Sequence, residues 1–255
     1  MTRAPALADY PGCPATVADA LAAGRELVPP RWGLCGVAGA LAGSVVVAVI
    51  VGLALYLADA PTGAQVIVGV TAPWLVLAGW PLLATRLRGN GPRIDLGLRL
   101  TWRDAGWGAV GGLVALLLAG ITATITQAFV PELTSAAAEA AGQLQRDSGR
   151  LALTAFALIV LVGAPVVEEL FFRGLLYGAL RKRGVGAALS VVISAGVFAG
   201  LHLEPLRFLV LLPTGLVLGW VRARTGSTGA AMVTHGFVNA PGAVLLLAGV
   251  DVMPP

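Results

Sequence analysis

Residues 151–180 read LALTAFALIVLVGAPVVEELFFRGLLYGAL: thirty residues, almost wholly apolar, interrupted by the adjacent glutamates Glu168 and Glu169 and by Arg173. About 20 apolar residues are enough to cross the hydrocarbon core of a bilayer. Charges are costly there and persist where they are paired or do chemistry. The stretch therefore reads as a membrane-spanning helix with a polar site built into it. Outward from it the pattern repeats. Residues 32–58, 66–85 and 105–130 precede it as apolar runs, and 187–202, 206–221 and 228–250 follow it. The fold class expected is an all-α, polytopic transmembrane helical bundle of seven spans, or eight if Pro241-Gly242 breaks the last one.

Composition agrees. Of 255 residues, 57% are hydrophobic and 12% charged, against roughly 45–50% and 25% in soluble domains. Mean hydropathy is +0.86. These values exclude a soluble single-core domain and intrinsic disorder. Two cysteines, Cys13 and Cys35, exclude a disulfide scaffold. The net charge of +4 points to basic loops of a membrane protein rather than to nucleic acid, because the cations lie between the apolar runs. Thirteen of the 17 Lys and Arg residues fall in the N-terminal tail, in 86–103, in 181–183 and at Arg222 and Arg224. The positive-inside rule then puts the N-terminus in the cytoplasm.

The expected organisation is a cytoplasmic tail over 1–31, a membrane-embedded domain over 32–250 with its core at about 150–240, and a short C-terminal tail over 251–255. Residues 1–31 lack the pattern of a cleavable signal peptide and are expected to form a short helix between Ala15 and Val28. A surface helix is expected within 132–150. Residues 94–107 alternate apolar and basic side chains, which suits the membrane interface or a charged connecting loop.

Polar residues within the spans are few: Glu168, Glu169, Arg173, His202, His235 and Asn239. Helical spacing sorts them. Glu169 and Arg173 stand at i,i+4 and face one side, as do His235 and Asn239, and Phe198 and His202. Glu168 is rotated about 100° from Glu169 and has no local partner. Pro165 removes a backbone hydrogen bond just before it. A Glu–Arg pair alone suits a structural role. An unpartnered carboxylate with two histidines and an amide, in spans this poor in polar groups, points to a functional site.

These residues form three motifs that resemble those of the CAAX protease and bacteriocin-processing family of intramembrane proteases, which includes the type II CAAX prenyl endopeptidases. Glu168-Glu169-Leu-Phe-Phe-Arg173 is similar to its Glu-Glu-x-x-x-Arg motif, Phe198-Ala-Gly-Leu-His202 to Phe-x-x-x-His, and His235-Gly-Phe-Val-Asn239 to His-x-x-x-Asn. The resemblance implies an intramembrane endopeptidase in which Glu168 activates water. His202 would orient that water or pass its proton on, and His235 and Asn239 would stabilise the oxyanion. Glu169, Arg173 and Phe198 would support them. The implied substrate is a membrane-associated protein or peptide, the other partner is the bilayer, and no nucleic acid is expected. No cofactor or zinc are the two alternatives. Zinc would take His202, His235 and Glu168 as ligands, but there is no His-Glu-x-x-His helix and Asn239 is a poor zinc ligand, so the metal-free arrangement is favoured. The composition suits a bacterial plasma membrane. A non-catalytic membrane scaffold or bacteriocin-immunity protein is the alternative function.

Overall fold

A computed structural model describes residues 14–131 and 133–250, and every regular element among them is helical. In chain order these are α1 (Pro14–Ala22), α2 (Leu34–Leu57), α3 (Thr62–Thr71), α4 (Trp74–Arg88), α5 (Pro92–Asp95), α6 (Trp102–Phe129) and α7 (Ala136–Asp147). The helix quoted above follows as α8 (Arg150–Leu158), a π-helical segment (Ile159–Gly163), α9 (Ala164–Glu169), a second π-helical segment (Leu170–Leu176) and α10 (Tyr177–Lys182). Then come α11 (Ala187–Leu201), a 3₁₀ turn (Pro205–Arg207), α12 (Phe208–Thr225) and α13 (Thr228–Leu247). The outer tail segments 1–13 and 251–255 lie outside the described residues.

Among the described residues, six helical stretches are long and apolar enough to cross a membrane: Leu34–Leu57, Thr62–Arg88, Trp102–Phe129, Arg150–Lys182, Pro205–Thr225 and Thr228–Leu247. The count of seven or eight spans is not confirmed, and two places bear on it. The run 187–202 yields only the 15 residues of α11, about 22 Å at 1.5 Å per residue against a core of about 30 Å. It ends because Leu203 takes a positive φ of 55°, which reverses the chain after His202. Pro241 does not split the last span, and α13 runs through it without interruption. Isolated prolines are tolerated in membrane helices where neighbours re-satisfy the freed backbone groups.

Helix contacts are set by small residues. α6 starts on a capping box, with the Thr101 hydroxyl accepting from Asp104 N and the Asp104 carboxylate accepting from Thr101 N. Its glycines at 108, 111 and 112 lie against Val233, Thr234 and Phe237 of α13. On α12, Gly215 faces Ala195 and Phe198 of α11, and Gly219 faces Val191. Such close backbone approach is how helices pack in lipid, where burial of apolar surface gives no drive. The outward faces stay apolar: Val49, Ile50, Leu53, Leu113 and Leu117 are all exposed.

One end of the bundle gathers the basic segments. Trp32 Nε1 donates to Asp95 Oδ2 at 2.7 Å, Arg25 to Asn90 O at 2.9 Å, and Ser227 Oγ to Arg99 O at 2.6 Å. Lys182 reaches the carbonyls of Pro30 and Trp32. Residues 94–107 lie at the same end, with Ile94 and Leu96 buried within the protein and Leu100 and Trp102 exposed. The helix expected within Ala15–Val28 is the shorter α1, which stops before Gly24 at φ 72°. At the opposite end, α7 forms within 132–150 as expected, with Ala141 and Leu144 packed among Phe156, Ala243 and Leu246.

The glycine contacts give a paired test. A Cβ at Gly112 would stand 2.3 Å from Phe237 Cβ, whereas one at Gly120 meets nothing within 4 Å. Gly112→Ala should lower the unfolding midpoint in detergent by several degrees, and Gly120→Ala should leave it unchanged or raise it.

Candidate active site

Pro165 shapes the local backbone first. Ala164 N–H bonds to Ile159 O, five residues back, which is the π-helical register. In that register the next donor would be residue 165, and proline has none. The carbonyl thus left over is that of Val160, and it accepts Asn239 Nδ2 at 2.9 Å. α13 is thereby pinned to the helix carrying the two glutamates, one turn beyond His235.

Glu169 and Arg173 pair as their spacing predicts, at 2.9 Å with both side chains fully buried. The same carboxylate oxygen, Glu169 Oε1, also accepts His235 Nδ1 at 2.9 Å. Arg173 continues the chain of contacts. Its second terminal nitrogen donates to Gly215 O on α12 at 2.9 Å, and its guanidinium lies 4.7 Å from the centroid of Phe198. Phe198 packs edge-on against Phe172, His202 and His235. A cation over an aromatic face is attracted to the ring. Phe198 is therefore the wall against which both histidines and the arginine are set.

Glu168 points elsewhere, as its rotation requires. It lines a cavity of about 500 Å³ together with His202, His235, Asn239, Phe198, Glu204 and Arg207. Its Oε2 is buried with no hydrogen-bond partner and lies 4.0 Å from His202 Nε2. That separation is too long for a direct hydrogen bond. The two groups face each other without bonding directly.

The tautomers follow from the partners. His202 Nδ1 contacts Phe198 O at 2.7 Å, and a carbonyl only accepts, so Nδ1 carries the hydrogen and Nε2 is bare in the neutral ring. His235 Nδ1 meets a carboxylate and is protonated by the same reasoning. Both rings thus turn a lone pair away from their anchoring contact.

The zinc alternative fits this arrangement poorly. Two ligands of a tetrahedral zinc at 2.0–2.2 Å lie about 3.4 Å apart, less than the Glu168–His202 separation of 4.0 Å. Among the described residues, no three His, Cys, Asp or Glu side chains gather as a ligand set.

Besides the Val160–Asn239 bond, two further contacts were not legible beforehand. The Glu169–His235 bond joins residues 66 apart in sequence, which no local periodicity reveals. Arg222, read from the sequence as part of a basic turn, is instead buried. It donates to Arg173 O at 3.0 Å and reaches Leu96 O at 3.4 Å, beneath the Glu169 cluster. The available signal was spacing: Arg222 lies seven residues after Gly215, on the same face of α12.

The burial of the pair predicts an order of stabilities. Arg173→Ala strands Glu169 as a buried charge, and breaking such a pair typically costs about 3–5 kcal/mol. Glu168→Gln keeps the shape of a cavity-facing side chain and should unfold close to wild type. Thermal unfolding in detergent checks the order.

All three motifs lie within one segment. No curated protein and no solved structure matches the chain. Residues 150–241, which carry Glu168, Glu169, Arg173, Phe198, His202, His235 and Asn239, match the family model of the type II CAAX prenyl endopeptidases, Rce1-like.

Proposed function

We propose that the chain is an intramembrane endopeptidase that hydrolyses a peptide bond of a membrane-associated protein or peptide without a metal, with Glu168 as general base. The carrying observation is the unpartnered Glu168 Oε2 facing the bare Nε2 of His202 across 4.0 Å. A water held between them gives one proton to Glu168 as its oxygen attacks the substrate carbonyl. His202 fixes the water by accepting its other hydrogen. The proton gained by Glu168 then passes to the leaving amine, so the step ends with neutral amine and new carboxyl group. His235, with Nδ1 committed to Glu169, donates to the oxyanion from Nε2 when the ring carries both protons. Asn239 adds the amide hydrogen not used on Val160. Glu169, Arg173 and Phe198 position these groups.

The cavity lining includes Ala136, Glu204 and Arg207, at the bundle end away from the basic segments, and we place its mouth there. With a cytoplasmic N-terminus, as the distribution of cations favours, that mouth faces out of the cytoplasm, and the substrate bond enters from there.

Two experiments test this reading. Glu168→Gln should reduce cleavage of a confirmed substrate by at least about 10²-fold, the lower range for a lost general base, with the unfolding midpoint preserved. Cleavage near wild-type rates by this variant would overturn Glu168 as the general base. For orientation, Ala137→Cys and Arg103→Cys in a background lacking Cys13 and Cys35 should differ in intact cells. The first should react with an impermeant thiol reagent, and the second should not.

A further inference from the structure

A second cavity, of about 420 Å³, opens at the basic end between α2, α4 and α10 and shares no lining residue with the candidate active site. Arg31, Arg88, Lys182 and Arg183 line it, and no carboxylate does. Among the described residues, Arg31, Arg88 and Arg183 enter no ion pair. Asp95, the acid of the adjoining α5, is already occupied by Trp32 Nε1 and the Asn90 backbone. Trp80 also lines the recess, with its indole Nε1 packed against Gly36 and without a partner.

We propose that this cavity binds the phosphate of an anionic phospholipid. Four exposed cations line a recess that no carboxylate lines. A phosphate diester supplies a negative charge and several acceptor oxygens, and arginine recognises it through paired donors. Basic recesses between membrane helices on the cytoplasmic side are suited to such headgroups. A lipid is favoured over free phosphate by the surroundings. Leu83 and Leu87, beside the cavity residues of α4, are exposed and apolar, giving acyl chains a surface to lie on while the headgroup turns inward. The site would hold α2, α4 and α10 together at the end where Lys182 already ties α10 to the N-terminal segment.

Cys35 lines the same cavity as an exposed free thiol and serves as reporter. Full-length protein carrying Cys13→Ser is placed in nanodiscs of phosphatidylcholine alone or mixed equally with phosphatidylglycerol. The rate of Cys35 modification by neutral N-ethylmaleimide is then measured. Phosphatidylglycerol should slow the reaction several-fold in wild type and in Arg86→Gln/Arg103→Gln, whose exposed arginines lie outside the cavity. It should slow it little in Arg88→Gln/Arg183→Gln. Equal slowing in all three proteins, or none in any, overturns the site. Protection by inorganic phosphate in pure phosphatidylcholine discs, as strong as that by phosphatidylglycerol, overturns the lipid as its ligand.

Discussion

A single carboxylate oxygen, Glu169 Oε1, accepts from Arg173 on its own helix and from His235 on α13. Buried charges are tolerated only when paired and hydrogen-bonded, so this contact constrains everything around it. The arginine must stay charged and in place, which it does by donating to Gly215 O and lying over Phe198. Gly215 must be small because α11 packs directly on it. Four separate stretches of chain are thereby held at one depth.

Two adjacent glutamates divide the work because a helix turns about 100° per residue. Glu169 faces the packed interior and neutralises Arg173. Glu168 faces the cavity, where no protein group satisfies Oε2. The proposed hydrolysis depends on that division. A site in which both carboxylates were paired would have no base left, and one in which neither was paired would carry two uncompensated charges in an apolar bundle. The Rce1-like match over 150–241 covers the helices that impose it.

Much of this was legible in the sequence where the relevant physics is local. Apolar runs gave the helical membrane class, i,i+4 spacing gave the Glu169–Arg173 pair, and rotation gave the isolation of Glu168. What was not legible is tertiary. The Glu169–His235 bond depends on how α13 packs. The Val160–Asn239 bond depends on a π-helical register that Pro165 permits but does not announce. Arg222 was read as a loop cation because hydropathy alone cannot distinguish a basic helix end in water from one folded under a neighbouring helix. The length of α11 was not legible either, since the apolar run continues to His202 but the turn at Leu203 ends the helix.

The most direct test of the Glu169 clamp uses the fact that the chain has only two histidines. Nitrogen-15 spectra of histidine-labelled protein in detergent, at a pH where the rings are neutral, report the tautomer of each. Both rings should carry hydrogen on Nδ1 and none on Nε2, and Glu169→Gln should shift the His235 signals while leaving those of His202 in place. A His235 ring protonated on Nε2, or one indifferent to Glu169→Gln, would contradict the clamp and the division of roles built on it.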